Sequence, residues 1–338
     1  MTKALAVQPE EFRKTVASIH EELARIIVGQ DEVIRLLLTA FFAGGHVLLE
    51  GLPGLGKTLL AKSFAATLGL TFHRVQCTPD LMPADILGTE LVVDRDGRKV
   101  FEFAHGPVFT HLLLADEINR ATPKTQSALL EAMAESQVTV AGKTYHLPEP
   151  FFVIATQNPI EMEGVFSLPE AQLDRFLFRV FVTYPSTEDL TRILRQTTVA
   201  DLPSARQLLP SDQAQAWIVH ARRLVREVLV AHAIEQHVVQ MVSRTQPDGT
   251  SGDGAARRWI RYGASPRGAQ AILMGAKVLA LIQGRVNVSF EDVEQMLLPA
   301  LNHRLVLTFE AEAERRTAVD VLRELTDPIR HQQVTGDR

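Results

Sequence analysis

The sequence predicts an α/β fold in which a five-stranded parallel sheet flanked by helices is followed by a smaller, all-helical domain. Short, strongly apolar segments alternate with helical segments in the first part of the chain, which is typical of a parallel sheet covered on both faces. A glycine-rich loop joins the first apolar segment to a helix. After Tyr184-Pro185 the pattern becomes helical. We therefore place an α/β core at residues 1–190 and a helical domain at residues 191–338.

The composition is that of an ordinary globular protein, since 46% of the 338 residues are hydrophobic and 22% are charged. The net charge of −5 gives no general attraction to nucleic acid or anionic lipid. Cys77 is the only cysteine, so no internal disulfide can form. Met1–Glu10 carries no long apolar run, and no stretch approaches the roughly 20 apolar residues of a membrane span. We expect a cytoplasmic, soluble protein.

Two helices are predicted ahead of the glycine-rich loop. Apolar residues recur at helical spacing over Phe12–Ile27, and a second helical pattern over Asp31–Phe42 ends at Gly44-Gly45. The loop Gly51–Gly56 then leads into the helix Lys57–Leu68. The five strands predicted for the sheet are His46–Glu50, Thr71–Gln76, His111–Asp116, Phe151–Thr156 and Phe178–Thr183.

Two β-hairpins are predicted in addition to these strands. The first occupies about residues 91–103 and joins Leu91–Val93 to Val100–Phe103 through the turn Asp96-Gly97. The second, Gln137–His146, has Ala141-Gly142 at its tip. Neither hairpin is counted among the strands of the sheet.

The segment Gly51–Thr58 matches the pattern G-x-x-x-x-G-K-[ST] and lies between a predicted strand and a predicted helix, where this pattern binds phosphate. Glycines let backbone N–H groups surround the phosphates, and the helix N-terminus directs its positive end at them. Lys57 supplies a full positive charge, and Thr58 supplies a ligand to Mg²⁺. We predict that ATP and Mg²⁺ are bound here, by Gly51, Pro53, Gly54, Leu55, Gly56, Lys57, Thr58 and Leu59.

A pair of carboxylates, Asp116 and Glu117, follows the apolar segment Leu112–Ala115. Such a pair is either an exposed acidic turn or the group that handles metal and water in a nucleotidase. Its position about 60 residues after the phosphate loop favours the second interpretation. We expect Asp116 to hold Mg²⁺ through its water shell and Glu117 to orient or deprotonate the attacking water.

Two further polar positions are open to two interpretations each. Asn158 follows the strand Phe151–Thr156 and is either a group that positions the water beside the γ-phosphate or a solvated strand end, because Asn-Pro favours turns. Arg175 is either a cation for the γ-phosphate or the partner of Asp174 in a surface ion pair. Arg179, four residues further on, is a rival cation.

A helix is predicted to begin at Ser265-Pro266, with Ser265 as its N-cap and Pro266 at its first position. Arg267 then places a positive charge in the first turn, where it opposes the helix dipole. We therefore expect an anionic partner for Arg267. The alternative is a side chain that simply reaches solvent.

Taken together, these segments resemble the MoxR branch of the AAA+ ATPases, in the helix-2-insert clade related to the ATPase subunits of magnesium chelatase. The resemblance runs from about Ile27 to Arg267, most of the chain. The segments that carry it are Ile27–Gln30, the phosphate loop, Ala115–Ala121, Ala155–Pro159, Leu168–Phe176 and Gly263–Arg267.

The resemblance implies roles for the remaining site residues. Asn158 matches the first sensor residue, and Arg267 matches the second, which the helical lid carries. Arg175 matches the arginine finger, which in this family reaches into a neighbouring subunit. Val28 and Gly29 match the segment beside the adenine.

The resemblance also implies a ring, usually a hexamer, with nucleotide between core and lid at the carboxyl ends of the strands. The first hairpin matches the helix-2 insert, and the second matches the hairpin before the first sensor. Family members are chaperone-like motors that act on a protein client, often beside a partner with a von Willebrand A domain. They help to mature other protein complexes or insert cofactors into them.

Two other functions stay open at this point. One is a nucleic-acid-dependent motor, against which the lack of basic clusters interleaved with aromatic residues argues, so no nucleic acid is expected. The other is a slow, ATP-dependent assembly switch.

Overall fold

The computed structural model describes residues 7–96, 98–159, 165–248 and 254–335, with side chains only up to residue 326 in the last range. Gly97 of the predicted turn, most of the loop Gln246–Gly254 and the side chains after Arg330 lie outside the described residues. The elements up to residue 181 are α1 (Pro9–Ile26), α2 (Asp31–Ala43), β1 (Val47–Glu50), α3 (Lys57–Leu68), β2 (Phe72–Gln76), α4 (Pro83–Leu87), β3 (Gly88–Arg95), β4 (Arg98–His105), β5 (Leu112–Asp116), a 3-10 turn (Ile118–Arg120), α5 (Pro123–Glu135), β6 (Gln137–Val140), β7 (Lys143–His146), β8 (Phe152–Gln157), α6 (Glu170–Leu173) and β9 (Phe178–Phe181).

The rest of the chain is mainly helical. Its elements are α7 (Thr187–Thr197), α8 (Ser211–Glu227), α9 (His232–Arg244), α10 (Gly254–Trp259), β10 (Ile260–Tyr262), α11 (Pro266–Ile282), α12 (Phe290–Leu301), β11 (Val306–Leu307), α13 (Phe309–Ala313) and α14 (Ala318–Thr335). The predicted boundary at residue 190 falls within α7, and the division into two domains stays a prediction.

The five predicted strands form one sheet in the order β2-β5-β8-β1-β9, and every neighbouring pair is parallel. The predicted five-stranded parallel sheet is therefore confirmed. In its register Gln76 pairs with Asp116, and Glu50 pairs with Gln157. The carboxyl ends of β2, β5, β8 and β1 thus lie along one edge of the sheet, next to the phosphate loop.

Helices cover both faces of the sheet, which explains why its strands are apolar throughout. Successive residues of a strand point to opposite faces. Leu112 and Leu114 pack in the cluster that contains residues of α1, α2 and α3, whereas Leu113 and Ala115 pack in a cluster with residues of α5. All four side chains are fully buried, and each leucine contributes about 1.5–3 kcal/mol to stability.

Both predicted hairpins are present and stand outside the sheet. The first is longer than predicted, because β3 and β4 pair from Gly88 and His105 to Arg95 and Arg98. The second is formed by β6 and β7. The hairpins contact each other, since Phe103 stacks on Tyr145 with ring centroids 4.1 Å apart.

The helical part has α11 at its centre, where it packs against α8, α9 and α12 and also against α1 and α2 of the core. A two-stranded antiparallel ribbon, β10 with β11, lies among these helices, and the expectation of an all-helical domain missed it. Isolated strands this short leave little periodic signal in a sequence. Within the described ranges, no helix combines the length and the apolar character needed to cross a membrane.

Candidate active site

The phosphate loop lies between β1 and α3, as its motif predicts. Gly54 and Gly56 adopt φ angles of 83° and 77°, in the left-handed region that L side chains avoid. Gly56 is also the N-cap of α3, and a glycine at this position has no side chain that could cap the helix in place of an anion. Lys57 Nζ donates to the backbone oxygens of Gly51 and Leu52.

Asp116 ends β5 beside the loop, with a side chain that is only 10% exposed. Thr156 Oγ1 donates to its Oδ1 at 2.6 Å, and Arg74 of β2 donates to its Oδ2 at 2.7 and 3.0 Å. Thr58 Oγ1 lies 3.4 Å from the same Oδ2. The two predicted magnesium ligands, Thr58 and Asp116, are therefore neighbours, and Arg74 balances the charge of the carboxylate.

Glu117 has a strained backbone, with a φ of 56° that costs a non-glycine residue about 1–2 kcal/mol. Its N–H donates to Thr156 Oγ1 at 2.8 Å, which holds this turn. Its Oε2 accepts hydrogen bonds from Gln76 Nε2 at 2.8 Å and from an Arg120 N–H at 3.1 Å. Strain of this kind is concentrated at functional sites, and here it accompanies a carboxylate held by two donors.

One cavity of about 400 Å³ brings together the predicted phosphate, metal and water groups, and we call it the phosphate cavity. Asp116, Glu117 and Asn158 line it together with the loop residues Pro53–Leu59. Asn158 is only 5% exposed, which excludes the solvated strand end of the alternative interpretation. Asn158 thus lies in the wall of the cavity that also contains the predicted metal and water groups.

A second cavity of about 580 Å³ adjoins the phosphate cavity, because Pro53–Gly56 and Leu59 line both. Val28 lies in its wall, and Gly29, with a φ of 74°, faces Asp189 of α7. A mainly apolar cavity beside a phosphate site suits a nucleobase. Its other apolar walls are formed by Ile26, Ile27, Tyr184, Pro185, Leu190 and Ile193.

In the part of the chain that the structure describes, the walls of these two cavities extend along the sequence no further than Thr197. The nucleotide was expected between the core and the helical lid. Ile193, Gln196 and Thr197 of the second cavity belong to the predicted helical domain, so this cavity lies between the core and the first helix of that domain, α7, and the position of the nucleotide stays a prediction.

The residues of the phosphate cavity fit a magnesium ion. Mg²⁺ takes oxygen ligands and keeps several waters. Thr58 Oγ1 and the Asp116 carboxylate provide such oxygens on one wall, and these residues would hold the ion. When bound, Mg²⁺ would neutralise charge on the phosphate oxygens.

Cys77 lies beside the acidic pair but has no nucleophilic role there. It is 1% exposed, and its N–H donates to the backbone oxygen of Asp116 at 2.8 Å. Burial, with the nearby charges of Asp116 and Glu117, raises the pKa of the thiol to about 12. The thiol therefore stays protonated at neutral pH.

Arg175 and Arg267 lie apart from the phosphate cavity and meet at another cavity of about 560 Å³, which we call the arginine cavity. Asp174, Arg226 and Arg304 also line it. Arg267 lies 3.8 Å from Asp174 Oδ2, which is the anionic partner that its place in the first turn of α11 predicted. The geometry thus brings Arg175, a predicted γ-phosphate cation, and Arg267, the match to the second sensor, to one cavity, and no residue of the phosphate loop, which the structure describes in full, lines it.

The predicted helix start at Ser265 is confirmed, because its side chain caps α11 by accepting the N–H of Arg267. Asp174 pairs with Arg304 at 2.7 Å, and Arg175 donates to the backbone oxygen of Leu130 at 2.6 Å. These contacts replace the Asp174–Arg175 surface pair that was the alternative interpretation.

Arg179, the rival cation, is engaged at the edge of the sheet. It belongs to strand β9 and pairs with Glu50 of β1 through two N–H···O contacts of 2.5 and 2.9 Å. Its guanidinium also lies over the ring of Phe181, 5.1 Å from the centroid. Arg175, which lies in the wall of the arginine cavity, is therefore a better candidate than Arg179 for the γ-phosphate cation.

Several residues at these sites were not predicted. Arg74 and Gln76 are two residues apart on β2 and therefore lie on one face of the strand. Two polar side chains on one face of an otherwise buried strand could have indicated a site. Thr156, which donates to the Asp116 carboxylate and accepts the backbone N–H of Glu117, stands in an apolar run without any signal. Arg226 and Arg304 belong to no motif.

The fold and the phosphate cavity define an AAA+ ATPase with a helical lid. Residues 46–178 match the family model for the ATPase family associated with various cellular activities, and residues 254–325 match the AAA lid domain. The chain belongs to the MoxR family of these ATPases.

Its relatives include proteins of similar length. The chain is 44% identical over 315 residues to chaperone MoxR1 of Mycobacterium tuberculosis, covering 93% of this chain and 82% of the relative. It is 33% identical to protein MoxR of Methylorubrum extorquens, covering 94% and 96% of the two chains. The crystal structure of a candidate ATPase from Cytophaga hutchinsonii is 37% identical and superposes with a TM-score of 0.86 over 94% of this chain and 95% of that one.

Proposed function

We propose that this protein hydrolyses ATP with Mg²⁺ as part of a ring and uses the hydrolysis to remodel a protein client. The observation that carries the proposal is the separation of the site residues. The phosphate cavity has Lys57, Asp116 and Glu117, whereas Arg175 and Arg267 line the arginine cavity. A neighbouring copy that turns its arginine cavity towards the phosphate cavity would supply both cations.

The chemistry follows from the residues of the phosphate cavity. Lys57 and the N-terminus of α3 bind the triphosphate. Glu117 accepts a proton from the attacking water, and its position depends on the hydrogen bonds from Gln76 and Arg120. Asn158 orients the same water through its amide.

For the biological role we propose the maturation of protein complexes, including cofactor or metal insertion, by a cytoplasmic hexamer beside a partner with a von Willebrand A domain. The description of the Mycobacterium tuberculosis relative as a chaperone supports a protein client. The nucleic-acid motor would instead be recognised by turnover that DNA stimulates and salt suppresses. The assembly switch would be recognised by ATP binding with very slow turnover.

The proposed ATPase activity is tested with Lys57→Ala and Glu117→Gln. Lys57→Ala should abolish magnesium-dependent ATP binding in calorimetry, because it removes the charge beside the phosphates. Glu117→Gln should bind ATP with little change and lose hydrolysis, because its amide cannot accept the proton. Normal turnover by Glu117→Gln would exclude this residue as the base.

The proposed ring is tested by mixing variants. Arg175→Ala alone should lower turnover about 10³-fold or more. Mixed with Lys57→Ala, it should regain activity, because each Lys57→Ala subunit offers an intact Arg175 to its neighbour. A mixture as inactive as its components would refute catalysis between subunits.

A further inference from the structure

Arg304, which follows helix α12 of the lid, is buried against the core segment that carries Arg175. Its side chain is 3% exposed, and its Nε donates to Asp174 Oδ1 at 2.7 Å. Its guanidinium also donates to the backbone oxygens of three core residues: Asp174 at 3.1 Å, Phe176 at 2.7 Å and Leu177 at 3.1 Å. Arg304 therefore holds the chain on both sides of Arg175.

The two residues before Arg304 continue this contact along the same segment. His303 Nε2 donates to the backbone oxygen of Phe176 at 3.0 Å, and Asn302 Nδ2 donates to that of Arg179 at 3.0 Å. Burial, with the charge of Arg304, keeps the pKa of His303 well below its ordinary value, so the ring stays neutral. The lid tripeptide Asn302–Arg304 thus binds a stretch of core backbone from Asp174 to Arg179.

Asp174 connects the same contact to the other lid residue of the arginine cavity. Its carboxylate accepts a hydrogen bond from Ser265 Oγ at 3.0 Å and lies 3.8 Å from Arg267. Ser265 and Arg267 begin α11, whereas Arg304 follows α12. Two separate points of the lid are therefore attached to the residue that precedes Arg175.

Burying a guanidinium costs folding free energy unless all its N–H donors form hydrogen bonds. Where only stability matters, well-packed apolar side chains serve equally well. Apart from a contact with the backbone oxygen of Ala300 in α12, the donors of Arg304 go to one short core segment, to the Asp174 carboxylate and to three backbone oxygens. An arginine fork fixes both the position and the direction of a planar set of acceptors, which a lysine does not. The arrangement is suited to orienting the segment.

We propose that Arg304, with His303 and Asn302, is a positioning group that fixes Arg175 relative to the lid of its own subunit. Movement of the lid then moves Arg175, and through it changes hydrolysis in the neighbouring subunit. This inference rests on the proposed function, because it requires Arg175 to act between subunits.

The test compares Arg304→Gln with a matched control, Arg285→Gln. Arg285 is also a lid arginine paired with a buried carboxylate, Asp292 at 2.7 Å, but its hydrogen-bond partners lie within the lid. Arg304→Gln should lower kcat about 10²-fold, as expected for a displaced catalytic group, with little change in the Kd for ATP. Arg285→Gln should lower thermal stability and leave kcat nearly unchanged.

A second readout does not depend on activity. Hydrogen exchange of peptides covering residues 173–180 should become about 10-fold faster in Arg304→Gln, because the carbonyl contacts that hold this segment are lost. Arg285→Gln should leave these peptides at the wild-type rate. Equal exchange in the two variants would overturn the proposal.

Mixed rings decide whether Arg304 acts through Arg175. Lys57→Ala subunits have an intact Arg175, so adding them to Arg304→Gln should restore hydrolysis at the phosphate cavities of the Arg304→Gln subunits. No restoration would overturn the proposal, because Arg304 would then be needed in the subunit that hydrolyses. If Arg304→Gln does not fold, Arg304→Lys is measured in the same way and should have a smaller defect of the same kind.

The mixture of Arg175→Ala with Lys57→Ala separates this inference from the proposed function. If that mixture is active and Arg304→Gln behaves like Arg285→Gln, the positioning role is wrong and the ring ATPase stands. If that mixture is inactive, the arrangement between subunits is wrong and the positioning role fails with it.

Discussion

At the scale of single residues, Gln76 is the residue whose role follows most directly from its contacts. It donates to Glu117 Oε2 at 2.8 Å from the end of a neighbouring strand. Replacing it with alanine removes one of the two donors that hold the Glu117 carboxylate, which we propose as the base. We expect Gln76→Ala to lower kcat about 10-fold and to leave the Kd for ATP unchanged, as measured by steady-state turnover and calorimetry.

The control for this prediction is His73→Ala. His73 lies on the same strand, and its Nδ1 donates to the backbone oxygen of Pro107 at 2.9 Å, away from the acidic pair. It should keep wild-type turnover. If both variants lose turnover equally, the effect comes from strand β2 as a whole and not from the carboxylate contact.

Gly29 and Gly44 both adopt the left-handed backbone conformation, but only Gly29 adjoins Val28 in the wall of the cavity of about 580 Å³. Their φ angles are similar, 74° and 79°, but a β-carbon on Gly44 would meet nothing within 4 Å, whereas one on Gly29 would lie 2.7 Å from Asp189 Oδ2. We expect Gly44→Ala to cost about 1 kcal/mol of unfolding free energy and Gly29→Ala about 2–4 kcal/mol.

Only Gly29→Ala should also weaken ATP binding, roughly 10-fold, because Asp189 belongs to α7, which lines the cavity of about 580 Å³ that suits a nucleobase. Urea unfolding and calorimetry measure the two effects. An unchanged Kd in a folded Gly29→Ala variant would show that α7 does not help to hold the base.

These residues also mark the limit of sequence-based prediction at this scale. The phosphate loop was predicted from the sequence alone, since its residues are adjacent and match a single pattern. Gln76 and Arg74 reach the acidic pair only because β2 pairs with β5 in one register. No local pattern encodes which strand becomes a neighbour.

At the scale of elements, His46, which immediately precedes β1, connects that strand to α5 and β8. Its Nε2 donates to the backbone oxygen of Met133 in α5 at 3.0 Å, and its Nδ1 accepts the N–H of Val153 in β8 at 3.0 Å. Burial lowers the pKa of His46 from 6.5 to about 4. Protonation would break the contact with β8, so the folded protein resists it.

The pH dependence follows from this lowered pKa. The unfolded chain takes up the proton below about pH 6.5, while the folded chain does so only near pH 4. The contribution of neutral His46 is therefore complete above pH 6.5 and is lost progressively as the pH falls to 4, by about 3 kcal/mol.

Urea unfolding between pH 7 and pH 4 measures this loss. His46→Gln retains a donor and an acceptor without a titrating group, so its stability should fall less steeply over this range than that of the wild type. His232→Gln, with a side chain that is 80% exposed, is the control and should follow the wild type. A parallel decline in all three proteins would contradict the role of His46.

Most elements were predicted because their signals are local. The apolar spacing of α1, the glycines after α2 and the short apolar strands each identify an element without reference to the rest of the chain. The ribbon β10–β11 was missed because its strands are three and two residues long.

At the scale of the whole molecule, Arg226 is a further cation of the arginine cavity that no motif indicated. It lies on α8, where its backbone oxygen accepts a hydrogen bond from Lys277 at 2.8 Å. If this cavity faces the phosphates of a neighbouring subunit, Arg226→Ala should lower turnover about 10-fold with an unchanged Kd for ATP. Mixing with Lys57→Ala subunits should recover activity.

Arg223 on the same helix provides the control, because its side chain is 81% exposed and lies 3.4 Å from Glu227. Arg223→Ala should leave turnover unchanged. A loss of turnover in Arg226→Ala that mixing does not recover would place its effect inside its own subunit.

The sequence by itself determined the class of fold, the phosphate loop and the acidic pair, because spacing and adjacent residues carry these features. The tertiary structure alone decided which distant residues share a site. It placed Arg175 and Arg267 at the arginine cavity, apart from the phosphate loop, and attached Arg304 to the segment around Arg175. The physical reason is that strand register and helix packing fix these contacts, and the periodicity of a single segment predicts neither of them.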